Sequence, residues 1–138
     1  MPELFIDTSG WANLIDISQP FHSLSATTYQ NARSQKYKLI TTSYIVTELV
    51  ALLSSPLRIP RLKAIAFIQS LKTSPYVEVI HISKEIDTKA WELLINRPDK
   101  EWSLVDCSSF IVMEERKIPE SLTSDHHFEQ AGFIRLLK

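Results

Sequence analysis

The chain has one cysteine in 138 residues, Cys107, two glycines, Gly10 and Gly132, and no surplus of either charge, with 15 Lys and Arg against 16 Asp and Glu. Each scarcity closes a class of function. A lone cysteine forms neither an internal disulfide nor a multi-cysteine zinc site, which suits a reducing compartment and sets the expectation of a cytoplasmic protein. Two glycines so far apart cannot build the G-x-G-x-x-G or G-x-x-x-x-G-K-[ST] loops that cradle nucleotide phosphates. A formal charge of −1 exerts no global pull on nucleic acid, so any polyanion must bind a local patch. No apolar run approaches the roughly 20 residues of a membrane span. The opening MPELFIDTSG carries an acid at position 3 and only a short apolar run, so neither a secretory signal nor a membrane association is expected.

What is present is an ordinary globular composition, 44% hydrophobic and 22% charged, which at this length can bury about 70% of the unfolded surface as one domain over residues 1–138. Leu4 to Ile6 is an apolar run that stops at Asp7, as a buried parallel strand does, and Thr8-Ser9-Gly10 follows with helix-start chemistry. Helices are expected over Gly10 to Ile15, Phe21 to Gln35, Tyr44 to Ser54 with Ser43 as cap, Pro60 to Lys72, Ser83 to Ile95, and Leu104 to Arg116 capped by Ser103. Strands are expected at Leu39 to Thr41, Val77 to His81, Glu120 to Thr123 and Ile134 to Leu136. Strands separated by helices too long for hairpins imply crossovers, hence an α/β fold with a mostly parallel sheet covered on both faces.

In such sheets reactive groups gather beyond the carboxyl ends of the strands. Asp7 and Asp125 follow strands, and Asp106 lies in the first turn of a helix that starts at the same end. Glu48 lies inside its helix with Tyr44, Ile45 and Leu52 as its i−4, i−3 and i+4 neighbours. That apolar face would make an unpaired carboxylate costly, and no basic residue lies one turn away on the same helix. Each acid has a plainer role available: Asp106 with Ser103 fits a capping box, Asp7 and Asp125 can each belong to a polar turn, and Glu48 can meet a distant cation. Taken together, four acids in these positions point to a carboxylate cluster that stays ionised by binding a hard divalent cation.

Several strings then carry a family resemblance: Phe5-Ile6-Asp7-Thr8-Ser9; Thr47-Glu48-Leu49; Trp102-Ser103-Leu104-Val105-Asp106-Cys107-Ser108-Ser109-Phe110; and Asp125-His126-His127-Phe128 with Ala131-Gly132-Phe133. The chain resembles the PIN-domain nucleases, and among them VapC-type ribonucleases, over essentially its whole length. The resemblance implies a three-layer α/β/α sandwich that hydrolyses RNA phosphodiester bonds with Mg²⁺ or Mn²⁺, with Asp7, Glu48, Asp106 and Asp125 as the catalytic, metal-binding constellation. It also implies a homodimer and a toxin held by a small antitoxin protein, for whose arm the apolar helices Tyr44 to Ser54 and Ile59 to Leu71 offer a groove. The alternative is a PIN-like module that binds RNA or protein without cutting. A phosphoacceptor receiver domain fits poorly, because Asp7 has no adjacent acid and Asp125 is followed by His126 rather than Lys.

Supporting roles are open at several positions. Thr8 and Ser9 can hydrogen-bond the acids, although Ser9 can equally cap the first helix. Ser108 can turn its hydroxyl to the site or into helix packing. Arg97 and Lys100 flank the loop before Asp106 and, like Arg58, Arg61 and Lys63, can meet phosphates or simply be solvated. Trp11 and Trp102 can stack on a base or lie buried. His126 and His127 are not assigned to catalysis, His127 being expected to orient its loop over Phe128. Asp125-His126-His127 lacks the spacing and the further ligands of a zinc enzyme. Cys107 is expected to be a small buried residue.

Overall fold

Leu4, Phe5 and Ile6 are buried in succession, and a strand can hide consecutive residues only if both faces of its sheet are covered. In the computed structural model, which describes all 138 residues, they form β1 (Glu3–Ile6), the middle strand of five. The elements that follow are α1 (Thr8–Ile15), α2 (His22–Ser34), β2 (Lys38–Thr42), α3 (Ser43–Ser54), α4 (Arg61–Thr73), β3 (Val77–Ile80), α5 (Lys84–Asn96), α6 (Leu104–Arg116), β4 (Glu120–Leu122), α7 (His127–Gln130) and β5 (Ile134–Arg135). Strand order is β3-β2-β1-β4-β5, with every neighbouring pair parallel. The three-layer α/β/α architecture is thus the one the sequence led us to expect. Its chain runs outward from β1 through β2 to β3, then returns to β4 on the other side of β1. The boundary between β1 and β4 is therefore the topological switch point, where open α/β sheets leave a crevice.

Several boundaries move for local reasons. Asp7 caps α1, its side chain accepting the Gly10 backbone N–H at 2.9 Å, so the helix starts two residues before Gly10. Thr42 rather than Ser43 caps α3, accepting from Ile45 N at 3.1 Å, while the Ser43 hydroxyl accepts the N–H of Ile82 at 3.0 Å. Helix α7 was not expected at all, since four residues are too few to display a helical period.

Gly10 is required by close approach: a Cβ there would stand 2.1 Å from the carbonyl oxygen of Leu122 and 2.9 Å from Ile6 Cγ2. Helix α1 therefore rests directly on the β1–β4 boundary. Beneath the same edge Phe5, Phe110 and Phe128 pack ring to ring, with centroids 6.3 Å apart for Phe5–Phe128 and 5.0 Å for Phe110–Phe128. At the opposite edge Arg116 bridges Glu3 and Glu78, and Lys38 meets Glu78 at 2.9 Å. That network draws basic residues to the amino ends of the strands. Cys107 is buried and unpaired, and burial pushes its thiol up to about 11.

Candidate active site

Because all strands run the same way, Asp7 after β1 and Asp125 after β4 emerge on one edge, and α6, which leads back into β4, presents its first turn there too. Asp7 is buried. Its Oδ1 accepts the Ser9 hydroxyl at 2.8 Å and the Gly10 N–H at 2.9 Å, and its Oδ2 accepts the Thr123 hydroxyl at 2.7 Å. With one donor on Oδ2, a lone pair remains there for a further partner. Burial pushes the carboxyl up to about 7, the negative charge of Asp125 adds to the rise, and the three hydrogen bonds oppose it.

The Asp106 carboxylate does two jobs. Ser103 and Asp106 form the capping box of α6: Asp106 Oδ2 accepts Ser103 N at 3.1 Å and Asp106 N donates to Ser103 Oγ at 3.0 Å. The same Oδ2 lies 3.1 Å from His127 Nδ1. Burial raises this carboxyl above its ordinary range and Asp125 raises it further. Asp125 thus acts electrostatically on both Asp7 and Asp106. Its own Oδ1 accepts the His127 backbone N–H at 2.9 Å and lies 3.3 Å from His127 Nδ1. Since both neighbours of that ring nitrogen are carboxylates, Nδ1 carries the proton and bridges Asp106 to Asp125.

Glu48 departs from expectation in its surroundings. It is exposed rather than set against an apolar face, because the buried stripe of α3 is Ile45, Leu49 and Leu53. No cation compensates it; its Oε1 accepts the hydroxyl of buried Thr8, the residue next to Asp7. That bond links Glu48 to the segment that carries Asp7. None of the four is paired with Lys or Arg, the only nearby cationic candidates being His126 and His127.

Among the supporting residues, Ser9 does not cap the helix. Its hydroxyl donates to Asp7, accepts the Ser124 N–H at 2.9 Å and lies 3.2 Å from Thr123 Oγ1. Ser108 turns away from the acids and donates to the Val105 carbonyl at 2.7 Å. Arg97 is clamped on Asp99 by bonds of 3.0 and 3.1 Å and lies over the Trp102 ring, while Lys100 is 3.8 Å from Asp99. Trp11 and Trp102 are buried, which removes them as base-stacking platforms. Sequence reasoning missed Thr123, whose hydroxyl donates to Asp7 and accepts the Asp125 N–H at 3.0 Å. Its position after a strand, two residues before an acid, is the one signal that could have found it.

The four acids offer oxygen donors from separate segments without a Lys or Arg partner, and buried Asp7 and half-buried Asp106 hold their protons more tightly than usual; such a set suits a hard dication, whose charge offsets both desolvation and mutual repulsion. The donor set fits such an ion, and the acidic edge is a candidate metal site.

A parallel α/β sheet whose switch point gathers carboxylates without Lys or Arg partners agrees with the PIN-domain class, and the family model for the PIN domain matches residues 4–134. The chain belongs to that family. It is similar to the 23S rRNA-specific endonuclease VapC20 in two strains of Mycobacterium tuberculosis, 29% identical over 133 residues that cover 96% of this chain and 97% of the relative. It is also similar to the crystal structure of Mycobacterium tuberculosis VapC20, described as a Sarcin-Ricin loop cleaving toxin, with a TM-score of 0.83, 28% identity and coverage of 96% and 97%.

Proposed function

We propose that this chain is a divalent-metal-dependent endoribonuclease and the toxin of a toxin–antitoxin pair, with Asp7, Glu48, Asp106 and Asp125 as its catalytic centre and Mg²⁺ or Mn²⁺ as its ion. The observation that carries this reading is the convergence of four acids, none neutralised by Lys or Arg, on the switch-point edge of a PIN domain. The full-length likeness to an rRNA endonuclease supports RNA as substrate and a folded segment of rRNA as its class. The chain's near-neutral charge agrees, since recognition then rests on shape more than on capture of phosphates.

In this reading each acid is held ready by its own neighbours. Thr123, Ser9 and Gly10 fix Asp7, the Ser103 capping box fixes Asp106, the 124–127 turn fixes Asp125, and Thr8 fixes Glu48. When bound, the ion lowers the pKa of a water and offsets the charge that builds on the scissile phosphate. The chain's part is to hold the ligands at the right spacing, so that little reorganisation is needed as the bond breaks. Thr8, Ser9 and Thr123 position acids. Ser108, Arg97 and Lys100 have no such role in this account.

The groove of about 210 Å³ between α3 and α4, lined by Val50, Ile59, Arg61, Ala64, Ile65 and Ile68, supports the reading that an antitoxin arm docks there. We also read the protein as a cytoplasmic homodimer of single-domain chains; no helix is long and apolar enough to cross a membrane. The decisive experiment is cleavage of rRNA fragments in Mn²⁺ by the native chain and by Asp7→Asn. Losing a ligand costs more than the roughly 10–100-fold typical of an outer partner, so the variant's rate falls by over about 100-fold. Equal cleavage by both would leave the binding-only alternative standing.

A further inference from the structure

Asp125, His126 and His127 place one ligand atom each within 4.8 Å of one another. We propose that this corner is a second metal site of borderline-soft character, selective for Zn²⁺ or a similar late transition ion, and that an ion held there inhibits the nuclease by taking Asp125 out of the acid cluster. The inhibitory effect rests on the catalytic reading above; the binding does not.

Donor chemistry is the first argument. Two imidazoles and one carboxylate prefer Zn²⁺ over Mg²⁺ and Mn²⁺, whereas an all-oxygen set favours the harder ions. Spacing is the second. Tetrahedral zinc with bonds near 2.0–2.1 Å needs donors separated by about 3.3 Å. His127 Nδ1, which gives up its proton to solvent as the ion binds, is 3.3 Å from Asp125 Oδ1, and His126 Nδ1 is 3.8 Å from the same oxygen. The sequence alone offered no further ligand; the fold brings one, since Asp106 Oδ2 lies 3.1 Å from His127 Nδ1. Rigidity and access are the third. The turn is pinned by Asp125 N on Thr123 Oγ1, His127 N on Asp125 Oδ1, and Arg135 Nη1 on the Ser124 carbonyl at 3.2 Å. His126, by contrast, has 64% of its side chain exposed and its ring already lies against that of His127, with centroids 4.5 Å apart, so it is open to solvent on the ion's path.

Because Asp125 and Asp106 serve both sites, occupation of this corner and assembly of the four-acid centre exclude each other. His126 belongs only to the corner and makes the test clean. Zn²⁺ binding is measured against a chromophoric chelator for the native chain, His126→Ala and His126→Asn, and RNA cleavage is followed in excess Mn²⁺ as Zn²⁺ is added. The native chain binds one Zn²⁺ at least tenfold more tightly than either variant, and micromolar Zn²⁺ suppresses its cleavage while the variants continue to cut. Equal Zn²⁺ affinity in all three, or equal suppression, overturns the proposal by placing the ion among the acids alone. If the native chain cuts no RNA in Mn²⁺, the chelator measurement still decides the site, and it is the nuclease reading that has failed.

Discussion

Asp7 illustrates how burial and ligation work against each other at one residue. Its carboxyl is raised to about 7 from an ordinary 3.8, so between those values the metal-free folded protein keeps a proton that the unfolded chain has released. Stability from this group is therefore fully present below about pH 3.8 and is lost as pH rises through about 7. The metal-free protein is expected to melt at a lower temperature at pH 8 than at pH 6, and Asp7→Asn to flatten that difference; scanning calorimetry of both chains checks it. Mn²⁺ added at pH 6 displaces the proton, which calorimetric titration in buffers of different ionisation enthalpy detects. An unchanged heat across buffers would contradict the cluster. At this scale the residue types were legible from sequence and their surroundings were not. Glu48 lies on the exposed side of the α3 stripe because a helix's buried arc is chosen by what it packs against, here Ile45, Leu49 and Leu53.

Among the elements, α1 has the least room for change. Its only glycine sits against the backbone of β4, and backbone cannot yield as a flexible side chain can. Gly10→Ala forces α1 away from the β1–β4 boundary and drags the Asp7 cap with it. We expect a loss of about 3 kcal/mol, the upper part of the range for overpacking, in urea unfolding, together with weakened Mn²⁺ binding. A change under about 1 kcal/mol would show that α1 can shift freely. The long helices were legible because their apolar periods and caps are local, and α6 runs from Leu104 to Arg116 as its sequence indicates. Short strands were legible as well, β4 and β5 lying where Glu120 to Thr123 and Ile134 to Leu136 were expected and each ending one residue earlier, whereas the four-residue α7 was not. Strand β5 has two residues, and α7 owes its existence to Phe128, wholly buried against Phe5 and Phe110, more than to any pattern of its own.

For the whole molecule, the question is how a chain of net charge −1 engages RNA. Basic residues at the amino ends of the strands are committed to the Arg116–Glu3–Glu78 and Lys38–Glu78 pairs, far from the acids. A chain with no net positive charge is expected to neutralise few phosphates, and each contributes about 0.9 to the salt slope of binding. We expect the slope of log KM against log salt to stay below about 3, and kcat/KM to drop at least tenfold when substitutions break the stem of a folded rRNA substrate. Cleavage of the unfolded strand at an equal rate would rule out recognition by shape.

The order of elements and the parallel sheet followed from the sequence, which also singled out the four acids as candidates, because hydrophobic period, capping chemistry and strand-to-helix turns act within a few residues. Only the tertiary structure decided that Thr8 reaches Glu48, that Thr123 secures Asp7 and that His127 joins Asp106 to Asp125. These contacts span 21 to 116 residues for the hydrogen bonds between distant segments, and no local rule encodes a meeting that depends on where the chain crosses back over β1.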